Sequence, residues 1–88
     1  MVEIEDFLSY RSRIKILKIL MRFGQLNISQ IAEEMYYNFA FTHEHLRVLE
    51  AESIVQRRQC GRTRLYRLAD SLKSKAVQEL IGTWESLA

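Results

Sequence analysis

Two closely spaced helical patterns in the middle of the chain constrain its fold more than any other feature. Apolar residues recur with helical period over 28–36 and again over 39–52. Asn27 and Asn38 precede the two segments as N-caps, and Gln30 is placed to complete a capping box with Asn27. Helices joined by so few residues must cross steeply. The stretch therefore predicts a helix-turn-helix.

Each predicted helix has one face suited to burial. On the first, the apolar positions are Ile28, Ile31, Ala32 and Met35. On the second, Thr42, Leu46 and Leu49 line one face, with Phe39 and His45 at its two edges. We interpret the neighbouring aromatics Tyr36, Tyr37 and Phe41 mainly as filling for the junction between the helices, although Phe41 can also contact a thymine methyl or a protein partner.

A basic hairpin follows the helix-turn-helix. Residues 54–59 and 62–68 predict two short strands around Cys60-Gly61, where glycine permits a positive φ. Between residues 57 and 67 there is no acid, and there are five arginines: Arg57, Arg58, Arg62, Arg64 and Arg67. The order helix, helix, basic hairpin is that of a winged helix, a mainly α fold with a small β-hairpin.

The 88-residue length predicts one winged-helix domain over 1–88, with a core over 10–68. A single cysteine excludes an intrachain disulfide and a zinc finger. The longest apolar runs are too short for a membrane span, and the acidic N-terminus is unlike a signal peptide. We therefore expect a cytoplasmic protein without membrane contact. The net charge of +2 says little about partners, in contrast to the concentration of arginines in the hairpin.

A long helix is predicted before the helix-turn-helix, over 10–23, with Ser9 as its N-cap and Gly24 as its C′ residue. Residues 2–8 predict a short helix or an ordered lead-in. The helix over 10–23 is apolar around a wide arc, which indicates burial against two different partners.

The C-terminal segment 70–87 predicts a last helix, capped by Asp70, with a continuous apolar stripe. The two surplus apolar faces indicate that the first and last long helices pair across a two-fold axis, although the alternative is packing within one subunit. The predicted dimer-interface residues are Ile16, Leu20, Leu72, Ala76, Val77, Leu80, Ile81, Trp84 and Leu87.

Three separated motifs occur in the order of a known family. They are RIKILKIL (13–20), an arginine followed by paired aliphatics; MYYNFAFTHEHLRVLEAESIV (35–55), with His45-Leu46 and Leu49-Glu50; and GRTRLYRL (61–68), with Gly61-Arg62 at the turn. Over about 13–68 the chain resembles the ArsR-type winged-helix transcriptional repressors. The resemblance implies a homodimer that binds operator DNA and is joined through its N- and C-terminal helices.

The chain departs from the metal-sensing members of that family. Those members carry a cysteine pair at the start of the recognition helix or an acid–histidine set on the last helix, and this chain has neither. We therefore expect no metal site, no cofactor and no metal effector. Catalytic constellations and phosphate-binding loops are also missing from the sequence, which argues against an enzyme.

The outward arc of the second helix carries Ala40, Glu44, Arg47 and Ala51. Arg47 can bond guanine or phosphate, and Glu44 can accept from cytosine N4. In the hairpin we favour Arg58 and Arg62, then Arg57 and Arg64, for phosphate or minor-groove contact. The predicted DNA-contacting residues are Asn38, Ala40, Phe41, His43, Glu44, Arg47, Arg57, Arg58, Arg62 and Arg64.

These features favour a dimeric, sequence-specific regulator of transcription that binds double-stranded DNA. The recognition helix over about 39–52 would lie in the major groove, and the wing over 54–68 on the backbone or in the minor groove. The competing hypothesis is a winged helix for protein–protein contact in a transcription or replication assembly, favoured by Phe39, Phe41 and the acids of the second helix. Cys60 at the hairpin tip is either an incidental thiol or an oxidisable one.

Overall fold

A computed structural model describes residues 3–88 as a helical domain with one small sheet. In chain order its elements are α1 (Ile4–Leu8), α2 (Arg11–Phe23), β1 (Gln25–Asn27), α3 (Ile28–Met35), α4 (Phe39–Ala51), β2 (Val55–Cys60), β3 (Thr63–Leu68) and α5 (Leu72–Leu87). The winged-helix prediction is confirmed. The beginning of the predicted lead-in, at residue 2, lies outside the described residues.

The helix-turn-helix is fixed by local hydrogen bonds at both helix starts. At α3 the Asn27 side chain accepts from the Gln30 amide at 2.8 Å, and the Gln30 side chain accepts from the Asn27 amide at 2.9 Å. The capping box is therefore present as predicted. Helix α3 ends one residue early because Tyr36 adopts a left-handed conformation with φ 55°. At α4 the Asn38 side chain accepts from the Phe41 amide at 2.8 Å.

Two predicted caps are wrong. Ser9 ends α1 instead of beginning α2, whose N-cap residue is Tyr10. The N-cap of α5 is Ser71, one residue after the expected Asp70, and its hydroxyl accepts from the Ser74 amide at 3.0 Å. At α5 two adjacent residues, Asp70 and Ser71, could cap, so composition alone did not decide between them. At α2 the helix begins after Tyr10, which makes no side-chain cap, so no capping signal marked its start.

The predicted hairpin is present, shifted by about one residue. Cys60 pairs with Thr63, which leaves Gly61 and Arg62 as a two-residue turn with φ 62° at Gly61. A third strand, β1, pairs antiparallel with β3 and places Leu26 opposite Tyr66. Sequence reasoning missed β1 because three residues are too few for a strand pattern.

The hydrophobic core lies between α2, α3, α4 and the sheet. Its fully buried apolar side chains are Ile16, Leu17, Leu20, Ile31, Leu46, Leu49 and Val55. Phe7 of α1 and Ile81 of α5 join the same cluster, so both terminal helices contribute to the hydrophobic core. The placement of Ile16 and Leu20 in a dimer interface is corrected here, because both are enclosed by their own chain.

Candidate nucleic-acid interface

Helix α4 is oriented by its buried face. Thr42, Leu46 and Leu49 are buried, and the Thr42 hydroxyl also donates to the Asn38 carbonyl at 3.0 Å. The opposite arc is consequently solvent-exposed, as the helical periodicity predicted. Its exposed members are Ala40, Glu44, Arg47 and Ala51. The start of the helix and its outward arc together form the candidate recognition surface.

The acids of this region are paired with basic side chains. Glu44 lies 3.7 Å from Arg47 on the outward arc. Glu50 lies 3.4 Å from Arg57 of the wing, and Glu52 lies 2.8 Å from Lys73 of α5. Exposed pairs of this kind contribute at most about 1 kcal/mol each, but they offset the net negative charge of α4. The acids therefore oppose a polyanion less than the sequence suggested.

Strand register determines which wing arginines share a face. Arg57 pairs with Tyr66, and two residues closer to the tip Gln59 pairs with Arg64. Because residues two apart along a strand lie on the same face, Arg57 and Arg64 share one face of the hairpin. Because Arg57 reaches Glu50, this face looks toward α4. Arg58 lies on the opposite face of the hairpin, and Arg62 is in the turn. The sequence analysis favoured Arg58 over Arg64 for phosphate or minor-groove contact, whereas the strand register places Arg64, and not Arg58, on the face toward α4.

The wing arginines also differ in their partners. Arg57 is paired with Glu50, and Arg67 lies 2.8 and 2.9 Å from the Gln56 side chain, which accepts when its amide oxygen faces the guanidinium. The side chains of the other three arginines form no hydrogen bond or ion pair within residues 3–88, and all three residues are exposed: Arg58, Arg62 and Arg64. The distal half of the wing thus carries three positive charges that no acid in the described part of the chain pairs with, and Arg64 lies on the face toward α4.

A model of the family described as "bacterial regulatory protein, arsR family" matches residues 11–57, which is more than half of the chain and includes α2, β1, α3, α4 and the start of β2. The chain belongs to the arsR family of bacterial regulatory proteins. It is a winged-helix DNA-binding domain of transcriptional regulators. A search of curated proteins finds no match to this arsR-family chain.

Solved structures share the fold of this arsR-family protein. The transcriptional repressor BigR from Xylella fastidiosa superposes with TM-score 0.79 at 20% identity, covering 91% of this chain and 78% of BigR. HlyU from Vibrio cholerae gives 0.75 at 23% identity, with 88% and 82% covered. The homodimeric winged helix-turn-helix DNA-binding domain Mb0332 from Mycobacterium bovis gives 0.73 at 24% identity, with 91% and 69% covered.

The aromatic residues around the α3–α4 junction do not fill it. Tyr36 is 93% exposed, because its left-handed backbone turns the side chain away from the core, and Phe39 and Phe41 are each more than half exposed. The Tyr37 ring lies 6.0 Å from the Phe41 ring, and the Phe39 ring stacks on His43 at 6.5 Å. The expectation that Tyr36, Tyr37 and Phe41 fill the junction was therefore wrong for Tyr36 and Phe41, whereas Tyr37 contacts the Phe41 and His45 rings there.

His45 lies on the edge of α4 that faces α2. Its ring is 5.7 Å from that of Tyr10 and 6.5 Å from that of Tyr37, so this edge position of the helix packs against aromatic side chains. Burial lowers the pKa of His45, and the positive charge of Arg13 lowers it further. Sequence reasoning missed Arg13 as a buried charge. The available signal was its position outside the polar stripe of Arg11, Lys15, Lys18 and Arg22.

The terminal helices of this arsR-family protein expose apolar side chains. Of the nine predicted interface residues, Ile16, Leu20 and Ile81 lie in the core of the chain itself. Val77 is half-buried, and the rest are exposed on α5: Leu72, Ala76, Leu80, Trp84 and Leu87. An apolar groove between α1 and α5 is lined by Ile4, Leu8, Val77 and Leu80, among others.

Metal-binding and membrane-spanning features were also sought in residues 3–88. No group of three or more histidine, cysteine, aspartate or glutamate side chains in this part of the chain is placed to hold a metal ion. No helix in the same residues is long and apolar enough to cross a membrane. The absence of a metal effector stays a prediction from the sequence.

Proposed function

We propose that this arsR-family protein is a homodimeric, sequence-specific regulator of transcription, with α4 in the major groove and the wing on the backbone or in the minor groove. The observation that carries the proposal is the group of three exposed, unpartnered arginines in the distal wing, Arg58, Arg62 and Arg64. Like charges this close repel one another unless a polyanion is present. DNA backbone phosphates supply that polyanion.

Base reading falls to the outward arc of α4. Arg47 and Glu44 are exposed side by side, and their weak mutual pair at 3.7 Å can open to bases. Arg47 then binds guanine or a phosphate, and Glu44 accepts from cytosine N4. Ala40 provides a small surface for close approach, while His43 and Phe41 flank the arc. Asn38 holds the beginning of the helix in position through its cap on Phe41.

The wing contacts rank differently from the sequence-based order. Arg62 at the turn and Arg64 on the face toward α4 are the nearest distal charges to a duplex that α4 enters. Arg58 points from the other face, and Arg57 is partly occupied by Glu50. We therefore assign the main wing contacts to Arg62 and Arg64, with Arg58 in support.

Dimerisation is supported by the exposed apolar residues of the terminal helices. Trp84 is 72% exposed on α5, and the groove beside Leu80 continues to Ile4 and Leu8 of α1. Such a surface usually marks a protein interface. The structurally similar Mb0332 is described as homodimeric, which supports the same arrangement here. A two-fold dimer would place its two α4 helices about one helical turn of DNA apart, or a small multiple.

Selection of bound sites from a random duplex pool, followed by fluorescence titration, tests the proposal. We expect two half-sites related by two-fold symmetry. Replacing Arg47 or Glu44 by alanine should change the preference at one base pair of each half-site by about 1–3 kcal/mol. Glu79→Ala on α5 is the control, because Glu79 is exposed on another helix. No enrichment, together with no binding to random duplex at low salt, would overturn the DNA-binding proposal.

The second candidate is a protein-contact module, and the exposed aromatics favour it. Tyr36, Phe39 and Phe41 form an exposed set at the start of α4, where an apolar partner surface could dock. The unpartnered wing arginines oppose this candidate, since they suit a polyanion better. The same titration separates the two functions, because a protein-contact module has no need to bind duplex DNA at low salt.

A further inference from the structure

The N-terminus of α2 concentrates positive charge that no side-chain cap or acid of its first turn offsets. Its N-cap residue, Tyr10, provides no side-chain hydrogen bond to the helix. The first turn contains no acid and includes Arg11 and Arg13. A helix N-terminus already carries partial positive charge, and its first amide groups lack intrahelical acceptors. Two cations at this position add to that charge instead of offsetting it.

The side chain of Arg13 independently indicates that an anion binds at this helix N-terminus. Arg13 is only 8% exposed, and its Nε is buried without any hydrogen-bond partner in residues 3–88. Its guanidinium folds back toward the helix N-terminus and lies 4.1 Å from the ring centroid of Tyr10. The cation–π contact offsets part of the desolvation of the guanidinium. A buried charge normally also has a hydrogen-bonded counter-ion, and none is present in the described chain.

Further donors surround the same point. The Ser12 hydroxyl donates to the Tyr37 hydroxyl at 2.9 Å, which leaves the Tyr37 proton available for another acceptor. The amides of Arg11 and Ser12 belong to the first turn of α2 and so need acceptors. Tyr10, which covers Arg13, is itself 49% exposed and can turn aside. Donors converge here without an acid to accept from them.

We propose that the N-terminus of α2 holds a phosphate group of the DNA backbone, bound by Arg13, the amides of Arg11 and Ser12, and the Tyr37 hydroxyl. The inference rests on the proposed DNA-binding function and adds a contact that family membership does not assign. His45 lies on the side of α4 that contacts Tyr10 at the start of α2, and Glu50 lies on the side that contacts Arg57 of the wing. The two positions are about 140° apart around the helix at 3.6 residues per turn. The duplex is therefore held on both flanks of α4.

Two substitutions at the site weaken the proposed DNA contact without an expected loss of stability, which separates binding from folding. Arg11→Glu places an acid at the first helical position, so it should raise the melting temperature through the helix dipole and yet weaken DNA binding. Arg13→Met removes the buried charge while retaining most of the side-chain length. Arg13→Met removes one phosphate contact per subunit, and Arg11→Glu places a carboxylate next to the phosphate and repels it, so in either variant the salt slope of the dimer should flatten by about two units. Lys15→Glu, with the same charge change one turn along α2, is the matched control.

The measurement is duplex affinity by fluorescence anisotropy across a salt series, together with thermal melting of each variant. A larger loss of affinity and slope for Arg11→Glu than for Lys15→Glu, with raised melting temperature, supports the site. Equal losses for the two variants would show a general field effect and overturn it. If Arg13→Met fails to fold, the Arg11→Glu comparison alone decides.

Two further outcomes are distinguishable. Wild-type protein that does not bind duplex at all would refute the proposed function, whereas wild-type binding with unchanged variants would refute only this site. In a parallel arm, inorganic phosphate is titrated while the Ser12 amide and the His45 ring are followed by NMR. Saturable binding of free phosphate that leaves DNA affinity unchanged would assign the site to a small anion and overturn the DNA-backbone assignment.

Discussion

Helices α4 and α5 are similar in construction and differ in what holds them. Both begin with a polar cap, Asn38 for α4 and Ser71 for α5, and both carry an apolar stripe. In α4 the stripe is enclosed by the same chain. In α5 only Ile81 and Ser74 are buried, while larger apolar side chains of the same helix lie in solvent.

The difference in burial between α4 and α5 suits the two helices to different roles, presentation of side chains by α4 and assembly by α5. The proposed reading of bases by α4 requires a helix whose position is defined by its own domain, and the buried face of α4 provides that position. A helix whose apolar residues remain exposed gains most of its stabilisation from a partner surface, since burying apolar area contributes about 25 cal/mol per Å². We therefore expect changes in α4 to affect folding and changes in α5 to affect assembly.

The largest expected effect is loss of stability in Leu46→Ala. Leu46 is fully buried, and removal of such a side chain leaves a cavity that costs about 2–5 kcal/mol of unfolding free energy. The same substitution at Leu72, which is 87% exposed on α5, should cost less than about 1 kcal/mol. Urea unfolding at one low protein concentration measures both. Equal losses would mean that α5 is also held by its own chain.

The next largest effect is on dimerisation. Trp84→Ala removes the largest exposed apolar side chain of α5, and central interface residues of this kind contribute about 2 kcal/mol or more to association. Sedimentation across a concentration series measures the dimer constant. Tyr36→Ala is the control, because Tyr36 is an exposed aromatic in the helix-turn-helix. A wild-type protein that sediments as a monomer at micromolar concentration would contradict the proposed assembly.

Local sequence signals predicted the helix-turn-helix well. The capping box at Asn27, the cap at Asn38 and the apolar periodicity all act within a few residues, so the bounds of α3 and α4 were correct to about one residue. β1 was not predictable in this way, because its three residues are extended only through pairing with β3. Tertiary pairing decided that segment.

Side-chain surroundings were less predictable than the elements. Helix α2 is apolar over a wide arc, and the sequence cannot say which part of that arc the chain itself covers. Ile16 and Leu20 were consequently placed at an interface, although they face the core. Likewise, a count of five wing arginines does not reveal that Arg57 is paired with Glu50. Such pairings depend on contacts between distant parts of the chain.

Charge removal from the wing, compared with charge removal from α5, tests whether only the α4 side of the protein contacts DNA. Arg62→Ala with Arg64→Ala removes two unpartnered charges per subunit beside α4, so the salt slope of DNA affinity should flatten by about two to four units. Lys75→Ala on α5 removes a charge that forms a largely solvent-exposed ion pair with Asp70, and it should leave the slope nearly unchanged. Anisotropy titrations over a salt series measure both. Equal slopes for the wild type and the wing variant would place the wing away from DNA.

The smallest expected effect concerns the edge of α4 that contacts α2. Burial and the nearby Arg13 lower the pKa of His45, so the unfolded chain binds a proton at this residue more readily than the folded one. The stability supplied by neutral His45 is fully present above the unfolded pKa of about 6.5 and is lost as the pH falls through the lower folded pKa. Unfolding free energy should therefore decrease from pH 7.5 toward pH 5, and His45→Gln should flatten this decrease. His43→Gln is the control, because it removes an imidazole from the same helix and leaves His45 in its packed position beside Arg13. If both variants flatten the profile equally, the burial of His45 and the nearby charge of Arg13 are not the source of the pH dependence.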